Sequence, residues 1–348
     1  MLDLNKVRIQ SRTLIFTSNY APLGNKLAHG DPDPSFWKEK TVLVTGSTGF
    51  AGGHLCEQLN ALGATVRCFV RSDRTLPVKG PRVKPVVGDV QDYQSLLEGL
   101  KGVDVAFHLA AITVIPETRA KIFNTFSTNS SGTLNFLMAA REQHVGKVVY
   151  VSTCHVYGKQ DLVPITENSP PRPIDIYSAS KLAGESLALS FAEMYEMDVS
   201  ISRAFNHFGP RQKKEFLIPS VIHRLLRKET LEMGNPTPTR DFAYVDDIVR
   251  GYCLLAEQGS PSGIYHFCSG IERSVKQIVD NIVRISGITP SLRWNPDARR
   301  VDIPRSVGDY SKARKELGWE PRVKFEDGIQ KSIAWYRSQL KSEKAQLA

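Results

Sequence analysis

The sequence predicts an α/β protein: a doubly wound parallel sheet followed by a smaller, less regular α/β portion. Three observations carry this. The apolar run Thr41-Val42-Leu43-Val44 leads straight into a turn with glycines at 46, 49 and 52. Short apolar strands then alternate with helical segments as far as Ala204. Such alternation implies parallel strands whose crossovers cover both faces of the sheet. Beyond Ala204 the alternation loosens.

Taken in order, residues 1–36 show no periodicity, and Gly30-Asp31-Pro32-Asp33-Pro34 reads as a breaker ahead of the first strand. They are expected to form a loosely attached extension. After the strand over 41–44 and its turn, His54 to Leu62 reads as a helix with Leu55, Leu59 and Leu62 inward. Strands follow at 65–70, 83–87 and 104–109, then a helix at 133–142 and a buried strand at 147–152. The prolines at 164, 170, 171 and 173 mark a loop. A helix from Tyr177 to about Met194 and a strand over 199–204 complete the regular part. The second half offers helices near 217–228, 274–286, 311–317 and 326–338, and a strand near 263–267.

Composition narrows the classes. The chain has 348 residues, 41% hydrophobic and 23% charged, which is ordinary for a globular protein. No apolar run approaches the roughly 18 residues of a membrane-spanning helix, and the Thr13-Leu14-Ile15-Phe16 patch lacks a signal peptide's long apolar core and cleavage site. The five cysteines are scattered, without metal-ligand spacing, and read as reduced thiols of a cytoplasmic protein with no bound metal. The net charge of +9 is dispersed. It fits either a solvated surface or phosphorylated small ligands, and no nucleic-acid-binding motif is present.

The turn Thr45-Gly46-Ser47-Thr48-Gly49-Phe50-Ala51-Gly52 lies between a strand and a helix. Its first glycine permits the tight turn, the next lets backbone approach a pyrophosphate, and the third lets helix and strand pack closely. The helix N-terminus that follows supplies free N–H groups and a positive dipole end. This is a Rossmann-type dinucleotide site, with Gly46, Thr48, Gly49, Phe50, Ala51 and Gly52 as its cradle. At the end of the second strand Val70 stands where an NAD binder places an acid for the ribose, and Arg71-Ser72 follows. A guanidinium there pairs with a 2′-phosphate, so NADP is favoured. If Arg71 only faces solvent, NAD remains possible. Asp89, with Val90, is placed to accept from the adenine amino group. Leu109, Ala110 and Ala111 end the fourth strand with room for the cofactor.

Tyr177-Ser178-Ala179-Ser180-Lys181 sets a phenol and an ammonium four residues apart at a helix start, hence on one face. A phenol titrating near 10 is a poor base at neutrality. The ammonium and an oxidised nicotinamide are expected to stabilise its anion, so that Tyr177 takes a proton from a sugar hydroxyl. Thr153, in Ser152-Thr153-Cys154-His155-Val156-Tyr157-Gly158, closes the preceding strand at the edge where ligands bind. It can share that hydroxyl's hydrogen bond.

With these motifs in order, the chain resembles the extended short-chain dehydrogenases/reductases that epimerise or dehydrate nucleotide sugars. The resemblance runs from about Trp37 to Trp335. It also rests on Gly88-Asp89-Val90, on His108-Leu109-Ala110-Ala111, on Asn129 before Gly132-Thr133, and on Arg203 to Gln212. Arg240 to Asp247 and Leu317-Gly318-Trp319-Glu320-Pro321 complete it. It implies a dinucleotide-binding domain over 37–205 with contributions from about 236–268, and a substrate-binding domain over 206–235 and 269–340. It also implies a transient 4-keto hexose at the Tyr177/Lys181 centre, with a second acid/base at His155, three residues before Gly158. Dehydratases usually carry a carboxylate pair there, whereas this chain has Cys154 and His155. An imidazole titrating near 6.5 suits proton transfer; a hydrogen-bonded wall residue is the alternative, and Cys154 reads as packing. Asn206, Arg240 and Arg299, with Arg211 as a further candidate, would hold the diphosphate. Similarity is greatest to the GDP-mannose 4,6-dehydratase and GDP-4-keto-6-deoxymannose reductase subgroup, so a GDP-hexose is favoured. The reductase is the alternative activity. A homodimer through two helices per subunit is implied.

Overall fold

The computed structural model describes residues 30–72, 76, 78–296 and 303–347. Along the chain it runs α1 (Pro34–Trp37), β1 (Thr41–Thr45), α2 (Phe50–Ala61), β2 (Thr65–Val70), β3 (Val83–Val87), α3 (Tyr93–Leu100) and β4 (Val105–His108). Next come α4 (Ile115–Ala120), α5 (Ile122–Phe126), a π-helical turn (Ser127–Ser131), α6 (Gly132–Glu142) and β5 (Lys147–Val151). A 3₁₀ turn (Cys154–Tyr157), α7 (Ile176–Tyr195), β6 (Val199–Ala204), β7 (Asn206–Phe208), α8 (Leu217–Leu226) and β8 (Leu231–Met233) follow. The rest is β9 (Thr239–Tyr244), α9 (Val245–Gln258), β10 (Ile264–Phe267), β11 (Glu272–Ser274), α10 (Val275–Ser286), β12 (Leu292–Trp294), α11 (Ser311–Leu317) and α12 (Phe325–Leu347).

Seven strands form one sheet in the order β10-β6-β5-β4-β1-β2-β3, and every pairing is parallel. Strands β1, β4 and β6 are almost wholly buried, as expected where helices cover both faces. Pro85 sits in β3, the edge strand, where its missing N–H breaks no ladder. The chain order reverses on either side of β1, with β2 to one side and β4 to the other. The loops at the carboxyl ends of β1 and β4 therefore part there, which is where such sheets bind ligands. A three-stranded sheet, β11-β9-β7, and a two-stranded one, β12-β8, lie in the second half. Among the described residues no helix is long and apolar enough to cross a membrane.

Three expectations need correction. Helix α2 starts at Phe50, not His54, because Gly52 and Gly53 lie inside it. Glycine is a poor helix former, but at position 52 close backbone approach demands it. The segment at 30–36 is not loosely attached. Trp37 is fully buried and stacks on Phe107, its indole N–H donates to Glu257, and that carboxylate also accepts from Asp33 N. Gly30 O accepts from Arg250, and Asp31 pairs with Arg322. Residues 1–29 lie outside the described residues. Finally, α9 was missed. It packs on α2 and β5 and is buried on nearly every side, with even Asp247 and Arg250 enclosed, so its few polar residues do not mark a broad solvent face.

Candidate functional site

The glycine turn is shaped as the motif predicts. Gly46 adopts φ +68°, and a Cβ there would lie 2.9 Å from Ala110 N. A Cβ on Gly52 would come within 2.2 Å of Gly46 O. Gly49 caps α2 without a side-chain bond, leaving the first N–H groups of the helix open to an anion. Thr48 and Gly49 are exposed at the crest, while Phe50 and Ala51 are half-buried behind it. These features fit a dinucleotide pyrophosphate.

The floor opposite is stitched from β4. Thr45 Oγ1 accepts from Leu109 N and Ala110 N, both at 3.1 Å, and lies 2.9 Å from His108 Nδ1. Burial keeps the His108 imidazole well below its ordinary pKa, hence neutral. The Thr133 hydroxyl donates to Asn129 O, so it accepts from His108 Nε2–H, and Nδ1 accepts from Thr45. Asn129 lies in the π-helical turn; its amide bonds both backbone groups of Ile112 and the Ser180 hydroxyl. It ties the loop after Ala111 to α7. Asp89 accepts from Gln91 N through Oδ1, and Val90 packs on Gly132. Arg71 and Ser72 stand exposed at the end of β2, and Arg71 makes no ion pair among the described residues.

Tyr177 lies in the first turn of α7, which Asp175 and Ser178 close with a capping box. Thr153 Oγ1 accepts from His155 N at 3.2 Å, and the Thr153 hydroxyl lies close enough to the Tyr177 phenol to favour its anion. The His155 ring stands edge-on to the Tyr177 ring, centroids 6.0 Å apart. Thr153, His155 and Tyr177 are thus together. Lys181 is 2% exposed, with its ammonium 4.2 Å from the centre of the Tyr150 ring. Gly184 makes room for that ring: a Cβ there would meet Tyr150 Oη at 2.1 Å. Burial lowers Lys181 to about 7, opposed by the charge of Glu185.

One electrostatic expectation is not met. The Tyr177 phenol lies above its ordinary value because burial penalises the anion, and only the Thr153 hydrogen bond pulls it down. Lys181, itself lowered to about 7 by burial, carries little charge at the pH where this phenol would ionise. Stabilising the phenolate therefore falls to Thr153 and to whatever positive charge binds on the cradle. Cys154 is buried beside Asp241, Ser306 and Arg240, and burial lifts its thiol to about 12. It is protonated packing. All five thiols are free and buried, with Cys56 and Cys68 Sγ 3.7 Å apart.

The expected diphosphate ligands are not all brought together. Asn206 starts β7 and donates to Asp241 O at 3.5 Å. Arg240 lies near Cys154, with its guanidinium donating to Thr239 O and Ile303 O, both at 2.7 Å. Arg211, at φ +70°, is instead forked onto Glu57 of α2 by two 2.6 Å bonds. Arg299 lies outside the described residues. Missed altogether was a buried network behind α7. Arg203 forks onto Glu185 and donates to Tyr157 Oη at 2.8 Å, and Tyr157 meets His266 Nε2 at 2.6 Å. The one available signal was Glu185, a turn beyond Lys181; nothing in the sequence pairs it with a strand arginine.

Residues 43–332 match the family model described as GDP-mannose 4,6 dehydratase. A dTDP-glucose 4,6-dehydratase of Actinoplanes is 32% identical over 85% of this chain and 98% of its own length. A GDP-6-deoxy-D-mannose reductase of Pseudomonas aeruginosa is 29% identical over 87% and 99%. The Streptomyces venezuelae dTDP-glucose 4,6-dehydratase DesIV, crystallised with NAD and TYD, superposes with a TM-score of 0.82. It is 33% identical, over 87% of this chain and 98% of that one.

Proposed function

This chain belongs to the nucleotide-sugar epimerase/dehydratase family of extended short-chain dehydrogenases/reductases, and from that premise we propose that it oxidises C4 of a nucleoside-diphosphate hexose, dehydrates or epimerises the transient 4-keto sugar through a proton at C3 or C5, and then returns the hydride to the sugar. The observation that carries the reading is the meeting of Thr153, Tyr177 and His155 at the carboxyl edge of the sheet, beside the glycine cradle. Bound on the cradle, an oxidised nicotinamide supplies a hydride acceptor for C4 and a positive charge beside the phenol. Thr153 orients the C4 hydroxyl, and Tyr177 Oη takes its proton. Lys181 holds the cofactor's ribose. Once C4 is a ketone the neighbouring C–H groups are acidified, and His155 exchanges the proton there. Arg240 and Asn206 secure the diphosphate, with a GDP sugar favoured. Arg71 favours NADP over NAD. The exposed Met138 of α6 and Met194 and Tyr195 of α7 support a homodimer through those helices, in the cytoplasm.

The test is turnover of GDP-, UDP- or dTDP-hexoses by the purified protein with NADP⁺ and no added reductant. Conversion of one of them is expected, and conversion of none would remove the proposal. The relative from Pseudomonas aeruginosa favours a second reading, reduction of a 4-keto sugar by NADPH. His155→Ala separates the two. Loss of activity supports proton transfer at C3 or C5, and retained activity supports the reductase.

A further inference from the structure

We propose that Glu185, locked in place by Arg203, is the counter-charge that keeps the buried Lys181 protonated. This makes Glu185 a positioning residue, and its catalytic consequence rests on the part given to Lys181 above. The two side chains are four residues apart on α7, so they share one helix face. Both are almost fully buried, at 2% and 1% exposure. An ammonium so enclosed loses its proton unless an opposite charge is close.

Arg203, on β6, fixes where that charge sits. Its Nε lies 3.0 and 3.1 Å from the two carboxylate oxygens of Glu185, and its Nη2 is 2.6 Å from Oε2. The guanidinium is itself fixed by Tyr157 Oη and lies over the Tyr157 ring, 4.8 Å from its centre. A carboxylate held on three bonds does not rotate away to solvent, so it stays beside Lys181 although the guanidinium's own positive charge offsets part of its field.

Other groups do not supply it. His108 of β4 is neutral, and Tyr150 of β5, like Tyr157 and Tyr177, is held above its ordinary value and stays un-ionised. His155 stands against the Tyr177 ring, and Asp175 caps the start of α7 on the Ser178 N–H. Of the charged side chains on helices packed against α7, Glu117 pairs with Lys121, and Arg119, Arg141 and Glu142 are exposed. Burial works against the charge of Lys181, and Glu185 works for it.

The experiment reads Lys181 directly, by the pH dependence of its ε-carbon resonance in full-length protein labelled with [ε-¹³C]lysine, assigned by its absence from Lys181→Met. Expected is a midpoint near neutrality in the parent, lower by about one pH unit or more in Glu185→Gln. Because Glu185→Gln leaves Arg203 buried and unpaired, the neutral pair Glu185→Gln/Arg203→Met is measured beside it, with a shift in the same direction. An unchanged or raised midpoint in the variants that fold overturns the proposal. The pH–rate profile adds the catalytic readout: the basic limb should move down with the midpoint. A midpoint that falls while the limb stays put leaves the counter-charge standing and counts against the role of Lys181 in the function proposed above.

Discussion

Phe50 and His207 stack face to face, ring centroids 5.6 Å apart and planes 12° apart. One belongs to the cofactor turn, and the other follows Asn206 in the expected substrate turn. Two more links run alongside. His54 Nε2 meets Pro210 O at 3.0 Å, and Glu57 holds Arg211 in a fork. All three begin on the first two turns of α2. The helix that opens at the glycine turn is thereby fastened to the segment from 206 to 212.

That fastening predicts coupled binding. His207→Ala removes a stacked pair worth about 0.5–1.5 kcal/mol. The KM for the sugar nucleotide should rise roughly 2–10-fold, with dinucleotide affinity falling in step. Titrations of each ligand with and without the other check this. If one affinity changes and the other does not, the two sites are not coupled through these rings.

Gly52→Ala tests the cradle. The added Cβ meets a backbone oxygen at 2.2 Å, which cannot rotate away. Overpacking of this kind costs about 1–3 kcal/mol, and the cost falls on the turn that receives the pyrophosphate. Dinucleotide affinity should drop roughly 10–100-fold, measured by quenching of tryptophan fluorescence, while circular dichroism stays that of the parent.

Arg71→Ala tests the preference for NADP. A charged hydrogen bond to the 2′-phosphate is worth about 1.5–3 kcal/mol, so NADP affinity should fall by about 10–100-fold and NAD affinity by less than about twofold. Equal losses for the two dinucleotides would show that Arg71 does not read the 2′ position.

Glu257→Gln tests the latch on residues 30–37. Burial lifts the Glu257 carboxyl to about 7, above the value of about 4.3 in an unfolded chain. The folded state therefore holds the proton more tightly. The associated stability is present below about pH 4 and is lost as pH rises towards 7. Relative to the parent, Glu257→Gln should gain about 1–2 kcal/mol between about pH 5 and about pH 8, allowing for partial exposure. Paired thermal melts measure it, and a constant difference would mean that Glu257 does not titrate in that range.

Much of this molecule is legible in order along the chain. Strands β2, β3 and β6 fall where apolar runs predict them; the glycine turn follows β1, Thr153 and His155 follow β5, and Tyr177 lies in the first turn of α7. Local spacing suffices there, since a parallel strand and its crossover set which ends face the ligand. Of what spacing missed, α9 is buried on nearly every side and β7, β8, β11 and β12 are only three residues long, whereas β9 and α3 are long enough to show a period and were overlooked.

The sequence by itself determined the Rossmann frame and the glycine turn, and set Tyr177 and Lys181 one helical turn apart. Tertiary structure alone decided their electrostatics. It set the Lys181 ammonium over the Tyr150 ring, bound Arg211 to Glu57, and anchored Trp37 on Glu257. The physical reason is that a motif fixes which atoms can meet along one helix or turn. A charge, however, responds to burial and to partners drawn from distant strands, and only the packed chain brings these together.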